Sequence, residues 1–181
     1  MKFWNQLTVP ALRFETNYSM RNVRVEVAIY STLAFLIPFA IGSPQLVVGA
    51  AVNTLLVLAA LNLKPNHWLP LAVLPSLGVL ARGLIWGPFF YYLIVLLPFI
   101  WLANILFISL IQYSMGHSGY SYWTSLLVSA MGKALLLTVV VLALFALDIV
   151  PKPVLIFMSL YQLFTALAGG MIATGIQAFR R

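Results

Sequence analysis

A chain of 181 residues with 63% apolar side chains, 7% charged ones and a mean hydropathy of +1.03 cannot build a soluble surface. Its net charge of +7 gathers at the ends, in Lys2, Arg13, Arg21, Arg24, Arg180 and Arg181. That arrangement reports membrane topology and contact with anionic lipid, not nucleic acid. The absence of cysteine excludes disulfides and thiolate metal sites.

Residues 1–22 form a basic N-terminal segment without the apolar core and small-residue cleavage site of a secretory signal. Phe3, Trp4, Leu7, Leu12 and Phe14 suit the membrane interface, with Pro10 interrupting any long helix. Beyond them, residues 27–179 hold five charged side chains: Lys64, Arg82, Lys133, Asp148 and Lys152. A hydrocarbon core about 30 Å thick takes about 20 apolar residues in a helix. On that measure residues 23–177 divide into six spans. The first covers 23–42 and breaks at Gly42-Ser43-Pro44; the second covers 45–63 and stops at Lys64-Pro65-Asn66. The third, 68–81, is short, carries Pro70 and Pro75 and ends at Arg82-Gly83, so a kinked helix is expected. The fourth covers 89–112 with Pro98 inside, and Trp86, Phe89, Phe90, Tyr91 and Tyr92 crowd its start. These aromatics form either an interfacial belt or the wall of an open pocket. The polar run 113–121 leads to the fifth span, 122–147, and Pro151-Lys152-Pro153 to the sixth, 154–177. Residues 178–181 are a basic tail.

With an even number of spans both termini share a side. If that side is cytoplasmic, it holds Lys2, Arg13, Arg21, Arg24, Lys64, Arg180 and Arg181, against Arg82 and Lys152 outside. This satisfies the positive-inside rule. The expected fold class is an all-α integral membrane protein of the cell membrane, with six transmembrane helices in a compact bundle, a kinked third span and cytoplasmic termini. No repeat between the halves suggests an inverted-repeat transporter.

Two motifs invite chemistry and lack the residues to complete it. Gly116-His117-Ser118-Gly119 matches the turn of rhomboid-type intramembrane serine proteases, yet no histidine falls in the sixth span to act as base. Gly132-Lys133 recurs in phosphate loops, but Ala134 stands where Ser or Thr is needed and Leu127 where glycine is. No metal-ligand or cofactor pattern is visible, and no enzymatic role is expected. Small-xxx-small spacings such as Thr165/Gly169/Ala173 and Ala166/Gly170/Thr174 suit close helix packing.

Four polar side chains lie near mid-span: Asn53, Asn104, Lys133 and Gln162. At about 1.5 Å per residue they sit roughly 12–22 Å deep, on four different spans. The amides serve either as interhelical hydrogen bonds or as the lining of a ligand site. Lys133 is different, because no Asp or Glu shares its depth. A lysine there takes amide and carbonyl acceptors, reaches a watery cavity, meets an anionic ligand or gives up its charge. A carboxylate on a small-molecule ligand would explain the missing partner.

The chain resembles the substrate-binding S components of energy-coupling factor (ECF) transporters. The resemblance lies in residues 44–53 (PQLVVGAAVN), 55–60 (LLVLAA), 74–77 (LPSL), 97–104 (LPFIWLAN) and 132–136 (GKALL), and it covers roughly 23–177. It implies capture of a vitamin or similar micronutrient from outside, rotation of the loaded bundle and release inside. It also implies a transmembrane coupling subunit and ATPase subunits as partners. S components often dock through Ala-x-x-x-Ala in the first span; the corresponding pair here is Ala28 and Thr32. Two other classes compete with this expectation, a structural or assembly subunit that packs through its small-residue faces and an intramembrane enzyme.

Overall fold

Long apolar runs in a bilayer satisfy their backbone only within helices, and proline and glycine set where those helices stop. A computed structural model of the chain describes residues 20–41, 43–86 and 90–179, the side chains of 20–22 and 84–86 excepted. Expectations about residues 1–19, the Trp86 and Phe89 side chains and Arg180-Arg181 fall outside this description. The elements are α1 (Met20–Ala40), α2 (Gln45–Asn62), α3 (Leu69–Trp86), α4 (Phe90–Gly116), α5 (Tyr122–Ala146), α6 (Lys152–Met158) and α7 (Leu160–Phe179). No strand occurs among the described residues.

Five stretches are long and apolar enough to cross a membrane: 23–40, 45–62, 90–116, 122–146 and the combined 152–179. The third expected span is the exception. Its apolar part, Leu69–Gly83, is shorter, and Pro75 lies inside the helix. Leu135, Phe164, Val139, Met131, Leu102 and Ile172 are exposed on the outside of the bundle. An apolar coat of that extent fits lipid as the solvent.

The sixth span departs from the expected single helix. It breaks at Ser159, whose φ of −111° and ψ of −89° are not helical. The Ser159 hydroxyl donates to Leu155 O at 2.6 Å, and such back-bonding to the preceding turn bends helices. The break separates a short α6, begun by Pro151 and Pro153, from α7.

Helices pair most extensively as α2 with α7, α1 with α3 and α4 with α5. Close approach of α2 and α7 depends on Gly169: a Cβ there would lie 2.7 Å from Asn53 Cβ and from Thr54 N. The neighbouring Gly170 faces α5 instead, where Leu126 fills the space a side chain would need.

The buried apolar residues fall into two groups. The larger includes Leu56, Phe107, Ile108, Leu126, Ala130 and Ala166, and holds α1–α5 and α7 together. The smaller joins Leu96 of α4, Val141 of α5, Val150 in the turn before α6 and Val154 of α6. Lys133 lies between them along α5, and Trp101 and Asn104 lie between them along α4.

Candidate functional site

Lys133 is the twelfth residue of a 25-residue helix and is 2% exposed. Its Nζ donates to Asn53 Oδ1 of α2 at 2.7 Å, its one hydrogen bond among the described residues. Nζ also lies 5.2 Å from the centroid of the Phe107 ring on α4, whose π face attracts N–H groups. Asn53 is equally buried, and its Nδ2 donates to Gly49 O at 2.9 Å and to Thr165 Oγ1 of α7 at 3.1 Å. The Thr165 hydroxyl donates in turn to Tyr161 O at 2.7 Å. A hydrogen-bonded chain thus runs from α5 through α2 to α7 inside an apolar bundle.

Of the four lining residues expected from the sequence, Asn53 and Lys133 are in direct contact. Asn104 is buried but turned to α3, where its Nδ2 donates to Ala72 O at 2.9 Å. Beside it, Trp101 Nε1 donates to Ser76 Oγ at 2.6 Å. Gln162 is half-buried, and its backbone oxygen lies 3.3 Å from the Thr165 hydroxyl. The residue α7 contributes to Asn53 is therefore Thr165, three positions further on, which the sequence offered only as part of a small-residue stripe. Its signal was there in its depth, close to that of Asn53, and in the glycines that bring α2 and α7 together.

Open grooves lie on the outside of the bundle among the described residues. One of about 430 Å³ is lined by Ile37, Ala50, Ala51, Leu55, Ile172 and Ile176 among others. Another, of about 280 Å³, is lined by Lys152, Pro153, Ile156, Phe157 and Tyr161. Neither is lined by Asn53, Asn104, Lys133 or Gln162.

A second polar belt ties the other end of α2. Gln112 Nε2 donates to Leu63 O at 2.9 Å and Ala60 O at 3.2 Å, while its Oε1 accepts from Trp68 Nε1 at 3.1 Å. Free carbonyls at a helix C-terminus need such donors. Gln177 Nε2 donates to Asn62 Oδ1 at 2.8 Å. At the opposite end Arg82 donates to Phe39 O and Ala40 O, both at 3.1 Å, placing a cation at the negative end of α1.

The remaining expectations concern surfaces. Ala28 and Thr32 are exposed on the outward side of α1, with Val25, Ile29 and Leu36. Ser118 is exposed in the turn after α4, and the His117 ring stacks on Tyr113 with centroids 5.2 Å apart. No three His, Cys, Asp or Glu side chains gather into a metal site among the described residues. No family model, curated protein or solved structure matches the chain.

Proposed function

We propose that this chain is the membrane-embedded substrate-binding subunit of a multisubunit, ATP-driven importer of a vitamin or other small micronutrient. The observation that carries the reading is Lys133: a lysine buried at mid-bundle whose only hydrogen-bond partner among the described residues is an uncharged amide. A buried amine with donors to spare is costly for stability alone. A carboxylate on the ligand supplies the missing partner. The bundle crosses the membrane six times, α3 completing the set, with both termini cytoplasmic. The resemblance to ECF S components supplies the rest of the assembly, a transmembrane coupling subunit and separate ATPase subunits. The exposed α1 face around Ala28 and Thr32 offers a docking surface to the coupling subunit.

Native mass spectrometry of gently purified protein tests the reading. A retained small acid, lost in Lys133→Ala, together with co-purifying ATPase subunits is the expected result. Undiminished retention in Lys133→Ala removes Lys133 from the site. A stable complex with neither small molecule nor ATPase subunits makes the chain an assembly subunit instead.

A further inference from the structure

The hydrogen bonds around Asn53 leave its amide one orientation. Nδ2 requires acceptors and has two, Gly49 O on its own helix and Thr165 Oγ1 on α7. Thr165 is able to accept because its single proton is turned towards Tyr161 O at 2.7 Å. With the amide flipped, Oδ1 would face the Gly49 carbonyl oxygen and Nδ2 would face Nζ, leaving two acceptors opposed in one place and two donors in the other. The chain therefore has a direction: Lys133 gives to Asn53, Asn53 to Thr165, and Thr165 to the α7 backbone. The Thr165 hydroxyl is itself held by packing. A Cβ on Gly49 would come within 2.8 Å of Thr165 Cγ2, so the methyl group sits directly on the α2 backbone.

We propose that Thr165 is a positioning residue of the Lys133 site, a role that rests on the binding-subunit reading. It holds the Asn53 amide with its oxygen on Nζ, so the one side-chain hydrogen-bond acceptor of Lys133 among the described residues is already engaged. What the site offers a ligand is the N–H donors that Lys133 retains beyond its bond to Asn53. A donor-only site of this kind takes an acceptor-rich anionic group and gives a cation no partner.

Lysine labelled with ¹⁵N at Nζ provides a measurement that needs no ligand. Of the four lysines, Lys64 and Lys152 are exposed and Lys133 is buried, so the slowly exchanging Nζ signal from protein in lipid nanodiscs that disappears in Lys133→Met, and persists in Lys2→Arg, belongs to Lys133. Thr165→Val keeps the shape and removes the hydroxyl; exchange at Nζ is expected to quicken about fivefold, the equivalent of one hydrogen bond. Thr165→Ser, which restores the hydroxyl, is expected to return the native rate. An unchanged rate in Thr165→Val overturns the proposal. So does a Thr165→Ser variant that behaves like Thr165→Val, since a hydroxyl at this position would then not be sufficient to hold the amide. Should Thr165→Val fail to fold, nuclear Overhauser contacts in the native chain decide. Asn53 Nδ2 protons near the Thr165 methyl group support the assigned orientation, and the same protons near Lys133 Cε overturn it. Because no ligand is involved, a failed search for a retained small molecule leaves this result standing, and the reverse also holds.

Discussion

A double-mutant cycle on Lys133 and Asn53 measures the contact at the centre of the site. Lys133→Met keeps a long unbranched side chain in place and removes Nζ. Asn53→Leu keeps similar bulk and removes the amide. In the first variant the buried Asn53 Oδ1 loses its 2.7 Å donor, and an unpaired buried acceptor costs about 1–3 kcal/mol. The second variant is the costlier. It strips Nζ of its acceptor and also deprives Gly49 O and Thr165 Oγ1 of their Nδ2 donor. With both partners apolar the first of these penalties disappears, so the double variant is less damaged than the sum of the singles. Interhelical hydrogen bonds in membrane bundles average about 0.6 kcal/mol and reach about 1.7 kcal/mol. A fully buried donor with a single acceptor belongs near the upper value, so the expected coupling is about 1.5 kcal/mol. Unfolding in mixed micelles with rising sodium dodecyl sulfate, followed by circular dichroism, supplies the four stabilities. Pairing Lys133→Met with Asn104→Leu is the control, because Asn104 bonds to Ala72 O on another helix. That pair is expected to add. If the Lys133/Asn53 cycle is also additive within about 0.5 kcal/mol, the two side chains do not meet and the site as described is wrong.

Gly169→Ala is expected to destabilise by about 1–3 kcal/mol, because the new Cβ collides with α2 backbone and Asn53 Cβ. Gly175→Ala, with nothing within 4 Å, is expected to stabilise α7 by up to about 1 kcal/mol through helix propensity. Equal effects in thermal melts would contradict the assigned α2–α7 contact. Gln112→Leu frees the Leu63 and Ala60 carbonyls and the Trp68 indole N–H, and is expected to lower stability by about 1–3 kcal/mol in the same melts. No loss would mean water or lipid headgroups serve these atoms equally well. For topology, the cysteine-free chain accepts single reporters at the exposed positions of Lys64 and Lys152. With an impermeant maleimide on intact cells, Lys152→Cys is expected to label and Lys64→Cys only after permeabilisation. The opposite pattern inverts the orientation, and labelling of both refutes six crossings.

Helix positions were legible because the lipid environment leaves little choice. Proline, glycine and charge clusters mark where an apolar run ends, and α2 and α5 begin where they were expected and end within a residue. The break at Ser159 was not legible, since a serine in a span is usually tolerated and its effect depends on which carbonyl it bonds. Within the site, depth along each span gathered Asn53, Asn104, Lys133 and Gln162 at one level, and of these Asn53 and Lys133 meet. Depth alone could not assign azimuth. Gln162 and Thr165 lie three positions apart on α7, within a turn of each other, and the larger amide was the natural choice. The deciding term is the Gly49–Thr165 and Gly169–Asn53 packing, which sets how α2 and α7 face each other and turns Thr165 towards Asn53. Gln112 was passed over as the end of a span, where polar residues are expected, although its side chain caps α2 from within.

The placement of the polar residues narrows what they are for. Asn104, Trp101 and Ser76 are bonded between α3 and α4, and Asn53, Lys133 and Thr165 between α2, α5 and α7. Along α4 and α5 both sets fall between the larger apolar core and the smaller one that packs against α6. If interhelical adhesion were the whole purpose, amides and hydroxyls would suffice, as they do in the α3–α4 set, where every partner is neutral. Adhesion does not call for a lysine. Its long stem must be ordered and its amine desolvated, in return for one bond to an amide, and apolar residues of similar volume often serve a core equally well. The lysine also differs from its neighbours in what it leaves over, since Asn53 and Thr165 are each bonded on both sides while Nζ retains N–H donors. Two networks lie at the same seam, one closed on itself and one open at a single lysine, and that difference is what supports the proposal of a ligand at Lys133.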